Sequence, residues 1–283
     1  MPTSVMVGYD GSPAAAAAIN AAAILFPDAH AWVAHIWTPP FDSRRLRRRL
    51  RARAHSAEDL VQLLELEGQR EADAIAGYGV ALATAAEWVA EPLVKRSAGS
   101  DGLRLSQLAE KLGTDVIVIG DRGLDGSKAV IGSVSDMVVH YASVPVLVVP
   151  NPLLTDEFEA LADGPVLVGY DGSQGGETAV ENARRLFPQR RLLLAAVGGD
   201  HGNVSIGPAA EGLDVVTLSE PHRFGTPRDD AVADALIACA DRNDAAVVVV
   251  GSRGRSAARE VLLGSVAIAT VQRSHRPVLV AHG

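Results

Sequence analysis

Two aspartates and two glycine-rich loops are the residues of this 283-residue chain best equipped to hold a ligand. Asp10 stands in the run Val7-Gly8-Tyr9-Asp10-Gly11-Ser12. Asp171 stands in the same run, letter for letter, from Val168 to Ser173. The loops are paired as well: Gly120-Asp121-Arg122-Gly123 leads to Gly132-Ser133-Val134, and Gly251-Ser252-Arg253-Gly254 leads to Gly264-Ser265-Val266. Glycines without a Cβ let backbone N–H groups converge on a ligand, and a Gly-Ser at a helix start adds free N–H groups and the positive end of the helix dipole. Ser265 contributes a hydroxyl, and Arg253 a positive charge if it turns inward. These are donors, suited to phosphate oxygens. The aspartate is an acceptor, suited to a ribose hydroxyl or a base amino group. Phosphate and nucleoside sub-sites facing one another imply a nucleotide. No G-x-x-x-x-G-K-[ST] loop is present, and no G-x-G-x-x-G follows a strand.

Those residues need a frame, and the repeat supplies it. Each half closes on Pro-Val-Leu-Val, at Pro145–Val148 and Pro277–Val280, so the unit is a duplicated domain. In the first half the pattern predicts strands over 5–9, 31–37, 80–89, 116–119 and 144–149. Helices are expected over 13–25, 44–69, 101–112 and 133–141. In the second half strands are expected over 166–170, 192–197, 215–218, 246–250 and 278–281, with helices over 176–186, 229–242 and 265–273. Apolar Val/Ile-rich strands alternating with helices give an α/β fold: two tandem doubly wound, five-stranded parallel-sheet domains of Rossmann-like type. The expected boundaries are 1–150 and 164–283, with 151–163 as a linker. With strand order 3-2-1-4-5, the ligand crevice opens between strands one and four, where both motifs end.

Composition narrows the function. A 48% hydrophobic and 21% charged chain is globular, and a net charge of −8 argues against nucleic acid as a general partner. Lysine occurs only at Lys95, Lys111 and Lys128, and the bias to Arg and Ala points to a GC-rich bacterial genome. No stretch is long and apolar enough to span a bilayer, no leader is evident, and Cys239 stands alone. The expected compartment is the cytoplasm. His30, His201, His222 and His275 lack metal-ligand spacing, and His35 reads as a packed strand residue. No base is placed to activate Ser133 or Ser265, and no catalytic residue or paired carboxylate is evident. Seven arginines between Arg44 and Arg53 read as the solvated face of an amphipathic helix, with an acidic partner as the alternative. They crowd a helix N-terminus, where the dipole disfavours cations.

The residues resemble the universal stress proteins in their tandem two-domain form. ATP-binding members share the pattern Gly, two residues, Gly, nine residues, Gly, then Ser or Thr, which Gly251, Gly254, Gly264 and Ser265 match. The resemblance implies ATP as cofactor, with Mg²⁺ as its companion ion. It implies that Asp171 and the backbone of Gly169 hold the nucleoside and that Val197 packs on adenine. The glycines, Ser265 and Val266 would hold the phosphates, with Arg253 beside them. The matching first-half positions are Gly8, Asp10, Ile36, Gly120, Gly123, Gly132, Ser133 and Val134. There only eight residues separate Gly123 from Gly132, and Asp121 replaces Ser252. A carboxylate about 4 Å from a phosphate charge costs up to roughly 4 kcal/mol, so the second half is the better site.

The resemblance further implies that the last strands of the two halves meet as an intramolecular pseudo-dimer, with homodimerisation open. The expected role is a stress-response regulator that binds an adenine nucleotide and signals to a protein partner. The alternatives are a nucleotide-free interaction module of the same fold, slow ATP hydrolysis, and an adenylating enzyme. The last commonly carries S-G-G-x-D-S, which this chain lacks.

Overall fold

The computed structural model describes residues 2–121, 132–197, 207–218, 227–254 and 263–282. The first half runs β1 (Ser4–Gly8), α1 (Pro13–Leu25), β2 (His30–Trp37), α2 (Arg44–Arg51), α3 (Ala57–Ala85), β3 (Val89–Arg96), α4 (Asp101–Leu112), β4 (Val116–Gly120), α5 (Ser133–Tyr141) and β5 (Val146–Val149). After α6 (Thr155–Asp163) the second half runs β6 (Val166–Tyr170), α7 (Gln174–Leu186), β7 (Leu192–Val197), a 3-10 turn (Pro208–Ala210), β8 (Asp214–Leu218), α8 (Arg228–Arg242), β9 (Val247–Gly251), α9 (Ser265–Arg273) and β10 (Val278–Ala281).

Strand order is β3-β2-β1-β4-β5-β10-β9-β6-β7-β8, so each half shows the expected 3-2-1-4-5 order. Within each half the strands are parallel; between halves β10 pairs antiparallel with β5, placing Leu279 opposite Leu147. These leucines occupy equivalent places in the two Pro-Val-Leu-Val segments, so a pseudo-two-fold axis passes between them. Both are fully buried. Phe26 and Phe187, each the residue that ends its half's first helix, stack across the same relation with centroids 5.3 Å apart. Burial explains the central strands: β4 (Val-Ile-Val-Ile-Gly) is buried along its length, as parallel strands with helices on both faces must be.

Three expectations are corrected. The single helix over 44–69 is two helices, α2 and α3. Ser56 restarts the chain by accepting from the Asp59 N–H at 3.0 Å, while Asp59 accepts from the His55 N–H at 2.8 Å. The strand over 80–89 is instead the last turns of α3, whose buried Leu64, Gly68, Ala72, Ala76, Gly79 and Ala83 keep helical spacing to the end. The third strand is β3, an edge strand; its exposed face, charges and Pro92 suit a sheet edge and hide the apolar signal. Residues 151–163 carry helix α6, which packs against α1. Among the described residues, no helix is long and apolar enough to cross a membrane.

Candidate functional site

The repeated Asp-Gly-Ser is a self-contained turn in both halves. Asp10 Oδ1 accepts from the Ser12 N–H at 2.9 Å, and Asp171 Oδ1 accepts from the Ser173 N–H at 3.0 Å. Gly11 and Gly172 sit at φ +82° and +77°, which a residue with a Cβ reaches only with strain. Ser12 and Ser173 then cap α1 and α7, accepting from Ala15 and Gly176 N–H groups at 3.1 and 3.3 Å. One carboxylate oxygen of each aspartate is thus committed to shaping the chain as it leaves the first strand.

The second motif comes to meet it. β1 lies between β2 and β4, and β6 between β7 and β9, so the Asp turn and the glycine loop flank the strand-order reversal of each half. In the second half contact between the lips is direct: a Cβ on Gly254 would come within 3.2 Å of Asp171 Oδ2. The loop is braced from below, where Ser252 N–H donates to Ala281 O at 2.8 Å and Gly264 N–H donates to Ser252 O at 2.6 Å. The first half is braced alike, Asp121 N–H donating to Val149 O and Gly132 N–H to Asp121 O, both at 2.9 Å. Helices α5 and α9 both start from a glycine, Gly132 or Gly264, with no side chain capping the first turn. Their leading N–H groups remain available to an anion.

Close packing sets several of the glycines. A Cβ on Gly251 would lie 2.3 Å from Gly175 O, and one on Gly120 would lie 2.9 Å from Ala14 O, because the first helix of each half presses on the end of its fourth strand. Gly8 faces Leu105 and Ile119, and Gly169 faces Leu236, at 3.0–3.2 Å. Ile36 packs on the α4 and α5 side of the sheet, and Val197 ends β7. Ser133 and Val134 are exposed at the head of α5, and Val266 is half-buried in α9. Gly123 lies outside the described residues.

Three features escaped the sequence reading. Ser265 Oγ donates to Asp229 Oδ2 at 2.5 Å, joining the heads of α9 and α8. The carboxylates that begin α8 looked only like good partners for a helix dipole. Gly175 is the second: its Cβ would lie 1.7 Å from Arg253 O, so α7 and the glycine loop are fitted to each other. Two glycines in the first turn of a helix were a legible signal of such an approach. The third is His282, just past β10. Its Nε2 is buried without a hydrogen-bond partner, and burial, Arg253 and His140 hold its pKa down from 6.5 to about 4.

The position after the fourth strand is turned inward in both halves, with Asp121 and Ser252 buried. Asp121 therefore does not point to water, as one reading of the sequence allowed. The tyrosines ahead of the aspartates are covered differently. Gly79 of α3 packs on the Tyr9 ring, whereas Tyr170 donates to Glu177 and accepts from the Gly207 N–H at 2.8 Å. Burial and Glu177 push the Tyr170 hydroxyl's pKa above its ordinary value. His35, half-buried, donates from Nδ1 to Tyr9 O at 2.8 Å.

With this geometry in view, comparison with known families matches residues 1–150 and 214–282 to the universal stress protein family. The chain belongs to that family. A universal stress protein of Mycolicibacterium smegmatis is 32% identical over 183 residues, 58% of this chain and 60% of its own length. One of Mycobacterium tuberculosis is 29% identical over 170 residues, 53% of this chain and 55% of its own. Each of these matches thus spans well under two thirds of the curated relative. The crystal structure of a universal stress protein from Archaeoglobus fulgidus DSM 4304 superposes with a TM-score of 0.64 at 21% identity, covering 99% of this chain and 96% of that one. A putative universal stress protein from Pseudomonas aeruginosa superposes with a TM-score of 0.52 at 16% identity, covering 99% and 93%. At such identities the likeness concerns the fold.

Proposed function

We propose that this universal stress protein binds an adenine nucleotide in its second half and acts in the cytoplasm as a stress-response regulator whose interactions depend on that ligand. The observation that carries the reading is the approach of Gly254 to Asp171 Oδ2, at the reversal of strand order, beside the uncapped start of α9. An acceptor for the nucleoside and a set of donors for the phosphates lie within one small nucleotide's reach. Asp229 at Ser265 refines the ligand, since a carboxylate there repels a bare triphosphate and tolerates one bound with Mg²⁺. Asp121, buried beneath the other loop, makes the first half the weaker site.

The chemistry stops at binding. Among the described residues no group of three or more metal-ligating side chains is assembled, and no general base has been identified beside the glycine loop. Slow hydrolysis is the most the site supports. A second reading draws on the Asp-Gly-Ser turns, which satisfy themselves without a ligand: the same fold as a nucleotide-free interaction module.

Thermal unfolding with ATP, with and without Mg²⁺, separates the two. Ligand at about 100 times its Kd stabilises by roughly 2.7 kcal/mol, a readable rise in Tm. Gly254→Arg is expected to abolish that rise while leaving the unliganded Tm near wild type, because the new side chain enters the gap before Asp171. A wild-type Tm indifferent to ATP, ADP and AMP leaves the module reading.

A further inference from the structure

The strongest unpartnered charge in the molecule lies far along the chain from either glycine loop. Arg44, Arg45, Arg47, Arg48, Arg49, Arg51 and Arg53 are all exposed, and none makes a side-chain hydrogen bond or ion pair with a described residue. Arginines elsewhere on the surface behave otherwise: Arg96 pairs with Glu65 at 2.9 Å, Arg185 with Asp115 at 2.8 Å, Arg191 with Asp214 at 2.8 Å and Arg273 with Asp230 at 2.6 Å. Taking seven positive charges from a chain of net −8 leaves −15 on the remainder. An acidic protein thus keeps a concentrated cationic helix and leaves it unneutralised.

Holding it is unfavourable. Arg44–Arg48, Arg45–Arg49 and Arg47–Arg51 are like charges one turn apart, as are Arg44–Arg47, Arg45–Arg48 and Arg48–Arg51. No acidic residue occupies the first turn of α2 to offset the dipole. Eight residues are too few to be helical unaided, so the anchorage is Leu50, buried, and Leu46, half-buried, together with the Ser43 cap. Among the described residues the second half has no counterpart of α2 and α3 between its second and third strands.

We infer that α2 is a docking surface for a carboxylate-rich segment of a protein partner. Guanidinium forks pair with carboxylates in bidentate fashion, and a helix about 12 Å long matches a short acidic segment. A nucleic acid running past so short a patch would meet the repulsion of the remaining −15. A lipid surface needs an apolar face to bury, whereas both leucines of α2 turn inward. Phe41, exposed three residues ahead of Arg44, supplies an apolar anchor beside the charge.

The test uses the full chain and a fluorescein-labelled deca-glutamate peptide followed by anisotropy. Binding is expected at 50 mM salt, weakened about tenfold or more at 300 mM, and weakened to a similar degree by the joint change Arg45→Glu and Arg48→Glu. Replacing all seven arginines with lysine keeps the charge and is expected to weaken binding severalfold. The milder pair Arg45→Gln and Arg48→Gln is expected to weaken binding while raising Tm, since it relieves repulsion. That combination marks residues kept for something other than stability. Equal affinity in wild type and the charge-reversed variant overturns the inference. So does tighter binding to a single-stranded oligothymidylate with ten phosphates, or to vesicles of 30% phosphatidylserine, than to the peptide. A salt-sensitive dimer of the chain lost in the charge-reversed variant would assign the surface to a second copy instead, and would equally overturn it.

Discussion

His282 should make this protein acid-sensitive over a defined window. Its Nε2 is buried with no hydrogen-bond partner among the described residues, and the cation of Arg253 and the ring of His140 lie close enough to oppose a charge on it. In the unfolded chain the imidazole takes a proton near 6.5; in the folded chain it does so at about 4. A group whose pKa is depressed by folding contributes its stability in full above the unfolded value. That contribution drains away as pH falls through the interval and is gone below the folded value. Across the interval from 6.5 to about 4 the loss is of order 3 kcal/mol, with roughly 2 kcal/mol already gone at pH 5. Carboxylates titrate in the same range, so the informative quantity is the difference between wild type and His282→Gln. Urea unfolding at pH 8 and pH 5 should show that difference shifting by about 2 kcal/mol in favour of the variant at the lower pH. NMR titration of the ring protons gives an independent reading. If His282 titrates near 6.5, or the two stability profiles run parallel, the buried-imidazole argument fails.

Two further perturbations test how the halves and the loop are held. Gly175→Ala places a Cβ 1.7 Å from the Arg253 carbonyl, so the glycine loop must be displaced. The expected result is loss of the ATP-induced Tm rise with helix content kept, whereas Ala14→Gly at the equivalent place in the first half should leave that rise intact. Leu279→Ala opens a cavity on the pseudo-two-fold axis against Leu147, and a loss of about 2–5 kcal/mol is expected by chemical denaturation. A cost under about 1 kcal/mol would mean the two halves are not held there.

Much of this protein was open to reading from its residues. The letter-for-letter repeat defined the unit, and Val/Ile runs marked strands buried on both faces. Ser12 and Ser173 marked the helices that follow, because capping is local chemistry that a few neighbouring residues determine. The 3-2-1-4-5 order followed from the handedness of parallel connections, so the place of the crevice was legible too. Where reading failed, the cause was a signal that only a neighbour could supply. Helix α3 looked like a strand near its end because Gly79 and Ala83 are small to fit beneath Tyr9 and Val33, not to favour either structure. Strand β3 was hidden because an edge needs no continuous apolar run.

The tertiary structure alone decided the rest, because distance in space is not written in sequence. It brought Asp229 to Ser265, set Gly175 against the Arg253 carbonyl, and buried His282 near a histidine of the other half. It also showed that Asp10 and Asp171 spend one oxygen on their own turn, which a motif cannot reveal. And it left seven arginines in solvent without partners, where composition could say only that they were there. The chain's letters specify periodicity, caps and turns; which charges find one another depends on how far each folded surface lies from the next.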